Sequence, residues 1–470
     1  MSFSNFERLT PLDLIMPKVY IATILTFETT ESSLTLQSAF QKGLEKLATQ
    51  IPWVSGRVFP TNQKNKASLE MRWNQNTTPA LIDKGILDRS YKELSANGMP
   101  PSSIPRNLRP VSDMVEHNPI EQGAPVFAAS IFRFGDGEGI GLYICMHHNV
   151  VDAAGLFETV KLWAQNTTQT AASSSFCDQS LSSLGRVTRL SEALSSDLHS
   201  VSTHSLDDLF ASHPEYSRAP LTLPSEFPSC TTKVFAIPML HIDIIKHRLG
   251  NYMSTTPTTN TLVCALVWSA ITNARMQRDP ALELKYSRLV TAVNGRRRLG
   301  ANKKFPAENP YFGNMVLYAL AIIQGKDLSV FNNPGSTSFK SLAELCEVIA
   351  ESQSPARVNS RYVAEVHQLV ESVDDYRSVF VGWDLFESKD LTMTSWADLN
   401  FYGLEFGLGL GTPEFVRVPY TEADGVGLVL PRRACQMDDI GGGEVVEVMV
   451  MLRRDDMVIL EEGGLCGSFL

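Results

Sequence analysis

The spacing of apolar residues in the first half of the chain predicts both strands and helices. Runs rich in β-branched and aromatic residues predict strands at 18–27, 126–134 and 140–146. The segment 34–50 predicts an amphipathic helix that ends before a proline, because four apolar residues recur on one face: Leu36, Phe40, Leu44 and Leu47. A second helical face follows the strand at 140–146, and it contains Leu156, Phe157, Val160 and Trp163.

The second half mixes strand and helix signals in the same way. The segment 259–275 is apolar nearly all round, which predicts a buried helix. Strand-like runs follow at 289–293, 312–323, 415–418 and 445–452. We find no internal repeat of the period that solenoids show.

Two stretches have the composition of connectors. Residues 166–183 are rich in Ser, Thr and Gln, and residues 211–232 contain four prolines, which exclude a long helix. A chain of 470 residues is longer than one hydrophobic core usually supports. We therefore predict an N-terminal domain at 1–210, an interdomain crossover at 211–232 and a C-terminal domain at 233–470.

Composition narrows the class of protein. The net charge is −10, so we expect no nucleic-acid partner, although a local basic pocket for a phosphorylated cofactor remains compatible with it. The seven cysteines are scattered without a Cys-x-x-Cys pair, which argues against a disulfide framework or a zinc site and favours a reducing compartment. With neither a signal peptide nor an apolar run of membrane-spanning length, we expect a cytoplasmic protein.

Two histidines and an aspartate lie where a predicted strand meets a predicted helix, in Met146-His147-His148-Asn149-Val150-Val151-Asp152. Histidine suits proton transfer near neutral pH, and a carboxylate four residues later could organise its ring. Asp152 could equally be only the N-cap of the following helix. His147 is the weaker candidate base, since strand alternation directs it away from the side of His148.

Polar residues follow another predicted strand. Three consecutive arginines, Arg296 to Arg298, form either a solvated basic turn or a partner for a buried carboxylate, which the guanidinium binds through two nitrogens. In the nearby segment Tyr311-Phe312-Gly313-Asn314, the glycine indicates a close approach of the backbone to another group.

Two later segments also stand out. Thr394, Ser395 and Trp396 supply two hydroxyls and an indole N–H, the donor types that stabilise an oxyanion. The segment 405–411, Glu-Phe-Gly-Leu-Gly-Leu-Gly, spaces its glycines evenly but lacks the setting of a dinucleotide-binding fingerprint.

Taken in order, these segments resemble the BAHD family of acyl-CoA-dependent acyltransferases. His148 to Asp152 matches the His-x-x-x-Asp of the family, and Glu405 to Gly409 stands where the family has Asp-Phe-Gly-Trp-Gly. Weaker matches at 51–57, 294–298, 311–314 and 394–396 extend the resemblance over residues 10–455. The opening Leu9-Thr10-Pro11-Leu12-Asp13, the doubled histidine and Ala153 are more similar to the fungal branch, which acylates hydroxyls of alkaloids, terpenoids and polyketides.

The resemblance implies an α/β fold of two similar domains, each a mixed sheet covered by helices, as in chloramphenicol acetyltransferase. A tunnel between the domains would admit acyl-CoA at one mouth and a hydroxylated acceptor at the other. His148 would be the general base, and Trp396 with Thr394 or Ser395 would stabilise the oxyanion. The transfer would be direct, in a ternary complex of enzyme, acyl-CoA and acceptor.

The resemblance also assigns supporting roles. Asp152 would pair with Arg296, or in second place with Arg298, and Glu405, Gly407 and Gly409 would be structural. Tyr311 and Asn314 would bind substrate. Acyl-CoA, with acetyl-CoA the expected donor, would be a co-substrate of a monomer that holds no metal and no permanently bound cofactor.

Three alternatives stay open at the level of the sequence. Condensation domains of peptide synthetases share His-His-x-x-x-Asp, so the chain could be an amide or ester synthase that uses a carrier-protein thioester. It could also be a non-catalytic descendant that binds a metabolite. Cys145 could form an acyl-enzyme, although a free cysteine is usually a buried small hydrophobe.

Overall fold

The computed structural model describes residues 3–63, 66–112, 122–171, 185–300, 305–328, 336–384, 386–435, 443–466 and 469. The strands of the first half are β1 (Asn5–Arg8), β2 (Tyr20–Glu28), β3 (Arg57–Gln63), β4 (Lys66–Trp73), β5 (Leu81–Leu87), β6 (Ala124–Pro125), β7 (Phe127–Phe134), β8 (Gly139–His147) and β9 (Tyr216–Ser217). Its helices are α1 (Pro11–Leu14), α2 (Ser33–Gln50), α3 (Tyr91–Ala96), α4 (Ala153–Ala171), α5 (Arg186–Val201) and α6 (Leu206–Ser212).

The second half adds nine strands and five helices to the described part of the chain. The strands are β10 (Cys230–Pro238), β11 (Tyr286–Asn294), β12 (Val316–Gln324), β13 (Phe380–Val381), β14 (Leu391–Ser395), β15 (Phe415–Arg417), β16 (Val426–Val429), β17 (Arg433–Cys435) and β18 (Gly443–Arg453). The helices are α7 (Met239–Leu249), α8 (Thr259–Arg278), α9 (Ser336–Ser352), α10 (Ser360–Ser372) and α11 (Arg454–Gly463).

The first large sheet is mixed and has the strand order β15-β2-β8-β7-β5. The pair β5–β7 is parallel and the other pairs are antiparallel. Strand β8 is buried on both faces, because helices α2 and α4 pack on one side and a smaller aromatic cluster packs on the other. Trp163 of α4 anchors the helical layer by donating its indole N–H to the carbonyl of Phe40 in α2 at 3.0 Å.

The second large sheet is also mixed, with the order β10-β18-β16-β14-β11-β12 and β17 beside β18. Its central strands β11, β14 and β16 run parallel. Helix α8 lies in the core against this sheet and is buried through most of its length, as its uninterrupted apolar composition predicts. Both halves therefore have the predicted architecture, a mixed sheet covered by helices.

Strand β15 crosses between the halves. It comes from the second half but pairs with β2 of the first sheet. Its fully buried Arg417 donates through two nitrogens to Glu447 of β18, at 2.8 and 3.0 Å. The proline-rich segment 211–232 begins in the last two residues of α6, contains β9 and ends within the first three residues of β10. The division at 211–232 stays a prediction, and β15 would be an exception to it.

Most predicted elements lie within a few residues of the observed ones, and two differ. Residues 166–171, predicted to begin a connector, are the last turns of α4, and the rest of that connector, 172–183, lies outside the described residues. Strand β12 begins at Val316 instead of at 312, because the preceding residues are bonded to the corner at His148. None of the described helices is both long and apolar enough to cross a membrane.

Candidate active site

The two-histidine corner lies between β8 and α4. The main-chain N–H of His148 donates to the carbonyl of Val19, and the N–H of Val150 donates to the carbonyl of His147, so the chain leaves the strand in a tight turn. Asp152 then accepts the N–H of Gly155 at 3.0 Å and caps the first turn of α4. Gly155 is required here, since a side chain at this position would collide with the carbonyl of Phe312.

Asp152 is also one half of a buried ion pair. Arg296 donates to it through both terminal nitrogens, at 2.7 and 3.1 Å, and the main-chain N–H of Met315 adds a bond of 2.9 Å. Arg298 points elsewhere and donates to the carbonyl of Gln353 at 2.8 Å. The carboxylate of Asp152 thus holds together the corner and the second half of the chain, and it is not bonded to the ring of His148.

The ring of His148 is oriented by its own loop. Its Nδ1 lies 3.3 Å from the carbonyl of Val151, an arrangement that places the proton on Nδ1 and leaves the lone pair on Nε2. The ring keeps a partly accessible surface but is surrounded by protein, and this burial lowers its pKa from the usual 6.5. The nearby charge of Asp152 opposes the shift. The result is an imidazole that is neutral at neutral pH.

His147 and Cys145 lie on the opposite side of β8. His147 is buried, its Nδ1 accepts the N–H of Asn149 at 3.2 Å, and desolvation lowers its pKa to about 3. A ring with so low a pKa is too weak a base for the transfer of a hydroxyl proton. Cys145 is fully buried in the aromatic cluster beneath the sheet. Of the two histidines, His148 alone has the surroundings of a base.

Tyr311 and Asn314 are buried in the frame around the corner, contrary to the predicted role in substrate binding. Tyr311 is 2% exposed and stacks on Phe305, with ring centroids 4.7 Å apart. Asn314 is fully buried and donates through Nδ2 to the carbonyl of His148 at 2.8 Å. The motif predicted that these residues bind substrate, whereas their side chains face inward and support the corner.

Asp13 is a part of the site that the sequence analysis missed. It is fully buried in α1 and accepts from both the main-chain and the side-chain nitrogen of Asn314, at 2.8 and 2.9 Å. Arg186, at the start of α5, donates to the carbonyl of Val150 at 2.8 Å and lies 3.4 Å from Asp13. A sequence signal existed for Asp13, since Thr10-x-x-Asp13 has the spacing of the capping box that the structure contains.

The segment with the predicted oxyanion donors follows β14. Trp396 is 5% exposed, its ring is stacked on Phe401 at 6.0 Å, and its main-chain N–H donates to the carbonyl of Val429. Ser395 is exposed and lines a cavity of about 440 Å³, whereas Thr394 is half-buried. The three residues lie together at the end of a central strand, with different degrees of access to that cavity.

This cavity opens where the parallel strands of the second sheet end and α8 begins. Its charged lining is mostly basic: Arg297, Arg298, Arg432 and Asp398. Arg297 is paired with Asp398 at 2.7 Å, and the described contact of Arg298 is with a neutral carbonyl. Asn260, in the first turn of α8, also lines the cavity, and its buried Oδ1 has no hydrogen-bond partner among the described residues. Arg432 lies 3.8 Å from Glu444, so of these three arginines Arg298 is the one whose described contact is not with a carboxylate.

The segment 405–411 is built differently from its prediction as a structural carboxylate with glycines. The side chain of Glu405 is exposed and has no described partner, and its carbonyl accepts from Thr168 Oγ1 at 2.8 Å. The buried residue is Phe406, whose ring contacts three aromatic rings: Phe27, Phe40 and Trp163. Gly407 and Gly409 adopt positive φ angles of 69° and 75°, where glycine is favoured.

Among the residues that the structure describes, no group of three or more His, Cys, Asp or Glu side chains has the arrangement of a metal site. The corner itself supplies the neutral imidazole of His148, whereas Ser395 and the mostly basic cavity lie where the central strands of the second sheet end.

Comparison with known proteins identifies the family and agrees with the fold. A family model described as Transferase family matches residues 6–464. Trichothecene 8-O-acetyltransferase of Fusarium sporotrichioides is 26% identical over 505 aligned residues, which cover 97% of this chain and 96% of that protein. The structure of F. graminearum TRI101 complexed with coenzyme A and deoxynivalenol has a TM-score of 0.79 at 16% identity, covering 98% of this chain and 97% of that chain. Vinorine synthase has a TM-score of 0.60 at 15% identity, with 98% and 97% covered. The chain belongs to this Transferase family, the BAHD family of acyl-CoA-dependent acyltransferases.

Proposed function

We propose that this enzyme moves an acetyl group from acetyl-CoA to a hydroxyl of a secondary metabolite, with His148 as the general base. The relative from Fusarium sporotrichioides is by name an O-acetyltransferase of a trichothecene, and TRI101 has been solved with coenzyme A and deoxynivalenol. The proposal includes a monomer in the cytoplasm that needs no permanently bound cofactor.

The observation that carries the proposal is the state of His148. Its Nδ1 is turned to the carbonyl of Val151, its pKa is lowered by burial, and Asp152 is fully engaged by Arg296. An unprotonated Nε2 is what a general base needs at neutral pH. Because Asp152 does not contact the ring, the base works without a charge-relay partner, and Asp152 has a structural role.

In the proposed transfer His148 acts first as a general base and then as a general acid. Nε2 of His148 takes the proton of the acceptor hydroxyl as the oxygen forms a bond to the thioester carbonyl carbon. The carbonyl oxygen becomes an oxyanion in a tetrahedral intermediate. When the intermediate collapses, the C–S bond breaks and the imidazolium returns its proton to the leaving thiolate. Base catalysis of this kind contributes on the order of 10²–10⁴-fold to the rate.

The oxyanion donors in this proposal are Trp396 and a hydroxyl of Thr394 or Ser395. Ser395 is on the wall of the 440 Å³ cavity, and Trp396 follows it directly at the end of β14. A preorganised donor of this kind is worth on the order of 10²–10³-fold in kcat. Loss of the indole should therefore reduce turnover without preventing the binding of acyl-CoA.

The same cavity is our proposed site for the phosphates of acyl-CoA. Arg298 offers a guanidinium group that has no described carboxylate partner, Arg432 offers one that lies 3.8 Å from Glu444, and the N-terminus of α8 offers main-chain N–H groups and a positive dipole end. The acidic protein as a whole would repel a polyanion, so attraction has to be local, as it is here.

Initial-rate kinetics test the proposal directly. The purified enzyme is assayed with acetyl-CoA and a panel of hydroxylated terpenoids, alkaloids and polyketides, while both substrates are varied. Intersecting double-reciprocal plots and no acyl adduct by intact mass after acetyl-CoA alone are expected for direct transfer. Parallel plots with an adduct on Cys145 that passes into product would establish covalent catalysis instead.

A donor competition separates the remaining alternatives. Free acetyl-CoA should be used in preference to the same acyl group on a carrier protein, and the reverse preference would identify a condensation-type synthase. Tight binding of an acceptor without turnover of any acyl-CoA would identify a metabolite-binding protein and contradict the proposal.

A further inference from the structure

A second network of polar residues lies beneath the corner, beside the Asp152–Arg296 pair. Its centre is Asp13, which is fully buried. Oδ1 accepts two bonds from Asn314, and Oδ2 accepts the N–H and the hydroxyl of Thr10 at 2.9 and 2.8 Å. Arg186 lies 3.4 Å from the same Oδ2. A buried carboxylate with this many donors fixes the position of every group that bonds to it.

Two side chains of this network bond to the main chain at His148 and two residues after it. Asn314 donates to the carbonyl of His148 itself at 2.8 Å, and Arg186 donates to the carbonyl of Val150 at 2.8 Å. Asn149 returns the contact, donating to the carbonyls of Asp13 and Met16 at 2.8 and 2.9 Å. The loop that carries the base is thus bonded to α1 through its own Asn149 and through side chains of two other segments, Asn314 and Arg186.

Asn314 is the most constrained member. Both hydrogens of its amide nitrogen are used, one for Asp13 and one for the carbonyl of His148, so the orientation of the amide is fixed. Its Oδ1 is buried and has no hydrogen-bond partner among the described residues. A buried acceptor without a partner lowers the stability of the fold, so its presence calls for a functional explanation. The side chain of Asn314 is also among the groups that favour the protonated form of His148, in the direction of a higher pKa.

We propose that Asp13 and Asn314 are positioning residues for the transfer step. Asp13 fixes the side-chain amide of Asn314, and this amide in turn fixes the backbone at His148. The Oδ1 atom of Asn314 then stabilises the positive charge that develops on the imidazole of His148. The proposal rests on His148 being the general base, as stated under Proposed function. The two pairs at the corner then have different roles. The Asp152–Arg296 pair joins the two halves of the chain, and the Asp13–Asn314 pair positions the ring of His148.

The test compares Asn314→Ala, Asp13→Asn and the double variant, all as the full-length enzyme. A misplaced base costs up to about 10²-fold, so we expect each single variant to lower kcat by on the order of 10- to 100-fold, with KM for acyl-CoA within about twofold. The midpoint of the acid limb in the pH–rate profile should move to lower pH, since a group that stabilises the imidazolium has been lost. Because Asp13 acts through Asn314, the double variant should be little worse than the more severe single variant.

Asp456→Asn is the matched control. Asp456 is equally buried, is paired with Arg278 at 2.6 and 3.2 Å, and lies in α11 within the core of the second sheet. Its loss should lower the melting temperature without moving the pH–rate profile. If Asp13→Asn does not fold, Asn314→Ala alone decides, because it leaves the bonds of Thr10 and Arg186 to Asp13 in place.

Three results would overturn the inference. They are a folded Asn314→Ala enzyme with kcat within about twofold of wild type and an unchanged pH midpoint, independent and multiplicative losses in the double variant, or an equal loss of kcat in Asp456→Asn. The wild type and His148→Ala are assayed alongside. An active wild type that requires His148, together with an unaffected Asn314→Ala variant, contradicts only the positioning role, whereas a wild type without acyl transfer contradicts the proposed function.

Discussion

The two motifs that carry the strongest resemblance to the family, His148 to Asp152 and Glu405 to Gly409, are stabilised in different ways. At the first, the acidic side chain is buried and engaged by an arginine and two main-chain N–H groups. At the second, the acidic side chain is exposed, and an aromatic ring and a run of positive φ angles define the structure. Both motifs contain a carboxylate near small residues. The first is held by an ion pair and hydrogen bonds, whereas the second is held by aromatic packing and by its backbone conformation.

This difference indicates that the residues needed for catalysis belong to the first motif, whereas the second motif contributes to the stability of the fold. The first motif carries the candidate base and the bonds that orient it. The second packs Phe406 between the first sheet and its helices, and Thr168 of α4 holds the carbonyl of Glu405. Damage to the first should appear in turnover, and damage to the second should appear only in folding.

The largest expected effect is that of His148→Ala. Loss of the base should lower kcat by at least about 10²-fold while the protein stays folded by circular dichroism, because the described hydrogen bond of the ring is to the carbonyl of Val151 in its own loop. Steady-state kinetics of the folded variant measure it. Turnover above a tenth of wild type would show that His148 is not the general base, and the two motifs would then not differ in catalytic role.

The pH dependence sharpens the same distinction. His148 must be neutral to accept a proton, and burial lowers its pKa below the usual 6.5. The value of kcat/KM should therefore be constant near neutral pH and fall about tenfold per pH unit below the pKa, with a midpoint under 6.5. Variants of the second motif should share this profile, and a midpoint above 6.5 would show that another group limits the reaction.

Asp152→Ala should damage both folding and activity. Removal of one partner from a buried pair leaves Arg296 buried without its counter-charge, which costs about 3–5 kcal/mol. Thermal and urea denaturation measure the loss, and kcat is compared at a temperature where the variant is folded. An unchanged melting temperature would mean that the carboxylate is solvated in solution and that the ion pair is not a structural element.

Phe406→Ala is the counterpart at the second motif. The ring lies within about 6 Å of three other aromatic rings and is fully buried, so its removal should cost about 3–5 kcal/mol through the cavity that it leaves. At a temperature where the protein is folded, kcat should match the wild type within about twofold. A loss of acyl-CoA binding by this variant would show that the second motif contacts the substrate.

The sequence predicted the long helices and strands because apolar periodicity is a local property, and the resemblance to the family supplied the mixed sheets of two similar domains and the Asp152–Arg296 pair, whose members are 144 residues apart. It did not predict that Asn314 turns inward, that Asp13 joins the site, or that β15 joins the first sheet. Those features depend on contacts across hundreds of residues, such as that between Asp13 and Asn314. For Glu405 the motif predicted a structural carboxylate, whereas the contacts of this segment are made by the main-chain carbonyl of Glu405 and by the ring of Phe406.

The smallest expected effect is that of Glu405→Asp, which restores the residue that the family usually has. The side chain is exposed and has no described partner, so shortening it should change stability by less than about 0.5 kcal/mol and leave kcat unchanged. Asp152→Glu is the matched exchange at the first motif, where an added methylene in a packed site costs about 1–3 kcal/mol and disturbs the pair with Arg296. Chemical denaturation of both variants, with kinetics on each, measures the contrast. Equal losses at the two positions would mean that the carboxylate of Glu405 has a structural partner in solution, and the two motifs would then be alike.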